Sequence, residues 1–116
     1  MRQILFYRTD SGASPVGEFL DSLHAKQAQK VAWVLRLVEE LERVPVQYFQ
    51  KMANTADLWE VRVESSGDIF RLLGFLEGSR CVVLTHAFHK KAQKTPRSDI
   101  RLAERRKADY LRRNRE

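Results

Sequence analysis

Three apolar-rich runs lie between Leu58 and Phe88 with only two short turns between them, and this arrangement limits the fold more than any other feature. The turns are Ser65-Ser-Gly-Asp68 and Glu77-Gly-Ser79, built from residues that favour chain reversal. Strands joined by so few residues run antiparallel, because a parallel pair needs a crossover of about a dozen residues or more. In the first run, Leu58-Trp-Glu-Val-Arg-Val-Glu64, Trp59, Val61 and Val63 fall on one face and Glu60, Arg62 and Glu64 on the other. The second, Ile69 to Leu76, is apolar on both faces except at Arg71, and the third spans Arg80 to Phe88. The pattern predicts a three-strand meander.

Helical signals flank it. Ile4 to Tyr7 form a short β-prone run that ends at Asp10-Ser-Gly12. Ser14-Pro15 then supplies an N-cap followed by proline at the first helical position, which predicts a helix to about Leu23. From about Ala25 to Arg43, the steps Ala28, Val31, Leu35 and Val38, widened by Val34 and Leu41, predict an amphipathic helix that Pro45 stops. Residues 46–57 read as a connector. Thr95 as N-cap and Pro96 at the first helical position open a last helix. On it Arg97, Arg101, Arg105 and Arg112 fall within about 80° of one another, opposite Ile100, Ala103, Tyr110 and Leu111. The expected fold is α+β: one domain over residues 1–116, with a four-stranded, mainly antiparallel sheet, an N-terminal helical hairpin on one face and a C-terminal helix.

Composition narrows the function classes. No apolar run approaches the ~20 residues a bilayer-spanning helix needs, and Met1 to Arg8 lacks the apolar core of a signal peptide, so a cytoplasmic protein with no membrane partner is expected. Cys81, the lone cysteine, sits in an apolar run where a buried inert thiol is the default. Charge is distributed unevenly. From His86 to Glu116 there are eleven Lys and Arg against four Asp and Glu, a net +7, whereas the first 85 residues carry −1. Such concentration next to an apolar strand points to a phosphate-bearing partner.

The candidate chemistry is cationic. An unpaired Arg71 in the most apolar strand would be costly, so it either reaches a sheet edge to bind an anion or pairs with an acid such as Glu60. A hairpin can bring Arg62 onto the same face. His86 and His89, three apart in a strand, point to opposite faces and have no further ligands in support, so neither a metal site nor a cofactor is expected. Histidine is the one side chain here that titrates near neutrality, which makes both candidates for proton transfer. Lys90, Lys91 and Lys94 lie between a strand end and a helix start, where charge and free N–H groups both favour anions. This set suits RNA cleavage by the adjacent 2′-hydroxyl, with cations stabilising the phosphorane. Arg97, Arg101 and Arg105 would add phosphate contacts, and Arg71→Ala is expected to remove activity while leaving the fold intact.

The segments Leu58-Trp-Glu-Val-Arg62, Phe70-Arg-Leu-Leu73, Val83-Leu-Thr-His-Ala-Phe88, Lys90-Lys91 and Lys94-Thr-Pro96 together resemble the phage-derived HigB-like toxins of the RelE/ParE superfamily. The resemblance covers most of the chain. Ala92 stands where that family commonly has threonine, and Ala87 where it has glycine. It implies a toxin paired with a helix-turn-helix antitoxin protein, acting on the ribosome and mRNA as an endoribonuclease. Under it Arg71 matches the arginine that contacts the scissile phosphate, Arg62 a basic residue on the second strand, and Lys90 and Lys91 the basic segment after the last strand. Tyr110 joins His86 and His89 as a weaker proton-transfer candidate. The same superfamily holds ParE-like inhibitors of DNA gyrase that cut no RNA, and a plain nucleic-acid-binding module is a third possibility.

Overall fold

The computed structural model describes residues 1–91 and 94–115; Ala92 lies outside them. Its strands are β1 (Gln3–Phe6), β2 (Phe49–Lys51), β3 (Trp59–Ser65), β4 (Asp68–Glu77) and β5 (Cys81–Lys90), and its helices α1 (Pro15–Asp21), α2 (Ala25–Glu40) and α3 (Arg97–Arg113). They build an α+β fold on one mixed sheet in the order β1-β5-β4-β3-β2. The meander forms as the short turns require: β3 pairs antiparallel with β4, and β4 with β5. Ser66 and Gly67, both at positive φ, make the two-residue reversal between β3 and β4.

The sheet has five strands rather than four and is not wholly antiparallel. β1 pairs parallel with β5, from Gln3↔Cys81 to Phe6↔Leu84. No tight turn ties β1 to the meander, and the long intervening chain is ample for a parallel crossover. The fifth strand, β2, lies inside the expected connector and pairs antiparallel with β3. Only Phe49 of its three residues is buried, so no alternation announces it.

Helix ends shift for tertiary reasons. Ser14 caps α1 as expected, its Oγ accepting from Gly17 N–H at 3.2 Å. α2 ends at Glu40, short of Arg43, because Arg2 takes up its last carbonyls. The Arg2 guanidinium donates to Val38, Leu41 and Glu42 oxygens at 3.0, 2.6 and 2.9 Å, and its N–H to Glu39 at 2.8 Å. Pro96 rather than Thr95 occupies the cap position of α3, with no side-chain cap bond, and its carbonyl accepts from Asp99 and Ile100. Leu111 is exposed instead of packed.

Both sheet faces are covered. On one, Val31, Val34 and Val38 of α2 and Val16 of α1 meet Val61, Val63, Phe70, Leu72, Val82, Leu84 and Ala87. On the other, α3 lays Ala103, Ile100 and Tyr110 against Leu58, Leu73, Phe75, Val83 and Phe88. No helix of the described residues is long and apolar enough to cross a membrane.

Candidate functional site

One irregularity in the sheet decides which side chains meet. Along β4 and β5 the pairing runs from Ile69↔Lys90 to Leu73↔His86 and then jumps to Gly74↔Leu84, leaving Thr85 as an extra residue on β5. This β-bulge reverses the alternation of β5. Val82 and Leu84 face the helical hairpin, but beyond Thr85 it is Ala87 that does so, while Phe88 joins the α3 face. Without the bulge Lys90, an even-numbered position like Val82 and Leu84, would point under the hairpin. With it, Lys90 stands on the α3 face. Gly74 makes the bulge possible, since a Cβ there would lie 2.1 Å from the Val83 carbonyl oxygen. The buried Thr85 hydroxyl is placed 3.3 Å from the Ala103 carbonyl of α3.

The bulge completes a cationic cluster. Arg62 and Arg71 are direct cross-strand partners, and Arg71 is in turn opposite Phe88. Arg71 is 9% exposed and ion-paired to Glu60, itself 4% exposed, so the pairing alternative is the one realised. Gln50 of β2 donates to the other Glu60 oxygen at 2.9 Å. The Nε atoms of both Arg62 and Arg71 are buried without a hydrogen-bond partner, leaving donors unspent. Lys90 is held below the usual lysine range, first by burial and then by the charge of Arg71, with Glu60 opposing and Arg62 adding. Glu60 pairs with Arg71, and Arg62 has the exposed Glu64 at 3.8 Å, so a further anion would relieve the repulsion among the three cations.

The other predicted residues lie apart from this cluster. His86 Nε2 is 2.6 Å from Asp99 Oδ1, and its Nδ1 faces Arg106 Nη1 at 3.4 Å, so both ring nitrogens are engaged with α3. Its ring stacks on Phe88. His89 is on the opposite face, against Phe70 and 3.0 Å from Asp68. Tyr110 donates to Glu77 at 3.0 Å, far along α3, and burial with that bond pushes its hydroxyl up to about 12. Lys91, Lys94, Arg97, Arg101 and Arg105 are exposed, the three arginines in a stripe along α3. Among the described residues no group of three or more His, Cys, Asp or Glu comes together to hold a metal ion. In the sequence, Glu60 stands out only as one possible partner of Arg71. Nothing there signals Gln50, whose role depends on a strand inside the expected connector.

The far end of α3 is anchored to Tyr7, just past the end of β1. Tyr7 donates to Asp109 at 2.6 Å, and Arg113 brackets the same carboxylate at 2.7 and 3.0 Å. The Arg113 and Tyr7 hydrogen bonds hold Asp109 down to about 2.

The model of one protein family, Phage derived protein Gp49-like (DUF891), matches residues 18–108. The chain belongs to this phage-derived Gp49-like family. The matched span holds β2 to β5 and the whole cationic cluster, so Arg62, Arg71, Glu60 and Lys90 all lie within the Gp49-like region. No curated protein matches the chain.

Proposed function

We propose that this Gp49-like protein is the toxin of a type II toxin–antitoxin pair, of the HigB-like kind, and cuts mRNA on the ribosome without a metal. The observation that carries this reading is the Arg62, Arg71 and Lys90 cluster on one sheet face, with unspent guanidinium donors beside a single buried carboxylate. A phosphodiester placed there would take hydrogen bonds from both arginines. The 2′-oxygen would attack phosphorus as the bond to the 5′-oxygen breaks, leaving a 2′,3′-cyclic phosphate and a 5′-oxygen that takes a proton from solvent to become the free 5′-hydroxyl. Lys90, on the same sheet face as the two arginines, is the group proposed to take the 2′-hydroxyl proton. The arginines would stabilise the doubly charged phosphorane, a role worth about 10²–10³ in rate for one well-placed donor. His86, committed to Asp99 and Arg106, fits a positioning role in this scheme, holding Phe88 and the start of α3. The proposed partners are the ribosome with its mRNA and a helix-turn-helix antitoxin in a cytoplasmic setting.

Incubation with translating ribosomes and a defined mRNA, followed by mapping of 5′ ends, tests this directly. New ends should appear with the protein and fall about a hundredfold or more with Arg62→Ala. Chelator should not stop cleavage once the magnesium that holds ribosomes together is controlled for. An mRNA left whole under these conditions would refute the nuclease reading.

A further inference from the structure

α2 packs on the sheet through Val31, Val34 and Val38, all fully buried, while Trp33 lies off that stripe and is 43% exposed. Its indole is nonetheless held in place. Tyr48 meets it edge-on, with ring centroids 5.8 Å apart, and the Lys30 ammonium stands 5.2 Å from its centroid. Lys30 and Tyr48 also line a cleft of about 150 Å³ together with Gln47, Arg62 and Glu64. The Tyr48 carbonyl accepts the Arg62 N–H at 2.9 Å, which fastens this aromatic pair to the strand that carries Arg62. Arg62 therefore belongs to two places at once. It is the cross-strand partner of Arg71 and also borders the cleft, and its Nε is buried without a hydrogen-bond partner.

We propose that Trp33, Tyr48 and Lys30 form a base-stacking subsite for single-stranded RNA, continuous with the cationic cluster through Arg62. The inference rests on the RNA-cutting reading and extends it by one nucleotide contact along the strand. Aromatic faces beside cations accept any base, because every base has a π-face, while Lys30 and Arg62 would hold the flanking phosphates. Glu64, 3.8 Å from Arg62 and largely exposed, disfavours a phosphate at its own wall. The cleft interior is thus suited to a base, with the Gln47 amide offering a donor and an acceptor to its edge.

The chain has two tryptophans, so Trp59→Phe leaves Trp33 as the sole indole reporter. That variant would be titrated at low salt with an end-labelled oligouridylate and, separately, with inorganic polyphosphate, following both tryptophan emission and RNA anisotropy. Emission should be quenched by oligouridylate with the anisotropy midpoint and should not respond to polyphosphate. Trp33→Ala in the parent chain should weaken oligouridylate binding on the order of ten- to a hundredfold, and Trp33→Phe less. RNA that binds by anisotropy but leaves the emission unchanged would overturn the subsite alone, as would equal quenching by polyphosphate. RNA that fails to bind by anisotropy would also overturn the subsite, while the ribosome cleavage assay decides the RNA-cutting reading separately.

Discussion

The two faces of the sheet differ in kind. Under the helical hairpin, valines, leucines and phenylalanines close a dry core that carries no buried ion pair among the described residues. Under α3, apolar contacts share the surface with the Arg71–Glu60 pair, the Arg62 and Lys90 cations and the His86–Asp99 bond. Buried charge is a poor way to gain stability, since an apolar replacement often does as well. The buried charge of the α3 face is therefore not accounted for by packing alone, whereas the hairpin face is.

Neighbouring residues of β4 put that contrast to the sharpest test. Arg71→Ala should destabilise the protein by about 3–5 kcal/mol, because Glu60 is left buried without its cation. This corrects the expectation that the fold would survive the change intact, and it makes Arg71→Lys the better probe of activity. Leu72→Ala, one residue along and facing the hairpin, should cost about 2–5 kcal/mol through an ordinary cavity. Denaturant unfolding separates them: adding Glu60→Gln should recover much of the Arg71→Ala loss and none of the Leu72→Ala loss. Equal recovery in both would mean that the faces do not differ in this way.

The next effect is that of the bulge. Gly74→Ala places a Cβ on the Val83 carbonyl and should cost upwards of about 3 kcal/mol or shift the β4–β5 register. In a folded fraction, Lys90 should lose its place on the α3 face. Lysine side-chain NMR on that fraction would detect the return of Lys90 towards the usual lysine range.

The smallest effect is at the α3 anchor. Asp109 is depressed to about 2, so its contribution is present above the ordinary carboxylate value of about 3.9 and is lost as pH falls through about 2. Asp109→Asn should therefore lower thermal stability at neutrality and flatten the acid side of the profile between roughly pH 4 and 2, the two proteins converging at the acid end. An unchanged acid limb would mean that the Tyr7–Asp109–Arg113 contact adds nothing to folding.

Much of this architecture could be read from residues alone. The meander follows from two short turns, and the Ser14 cap and the Val31, Val34, Val38 stripe follow from local chemistry. What escaped were features decided at a distance. The parallel β1–β5 pairing has no local code, β2 is too short to alternate, and the end of α2 is set by Arg2 from the start of the chain. Within the candidate site, Arg62, Arg71 and Lys90 were legible as cations, but their meeting depends on Thr85 standing as an extra residue opposite Gly74. A lone glycine inside an apolar strand was the available hint of that bulge. The histidines are candidates by residue type, yet their partners, Asp99 and Asp68, come from other elements.

Under the proposed function the α3 face carries the reaction and the hairpin face does not. Lys90 and His89 are adjacent on β5 and point to opposite faces, so they make the fairest pair. Single-turnover cleavage on programmed ribosomes, at matched folded protein, should fall on the order of a hundredfold or more for Lys90→Ala and stay within about twofold for His89→Ala. Loss of cleavage in His89→Ala with Lys90→Ala left active would contradict the account.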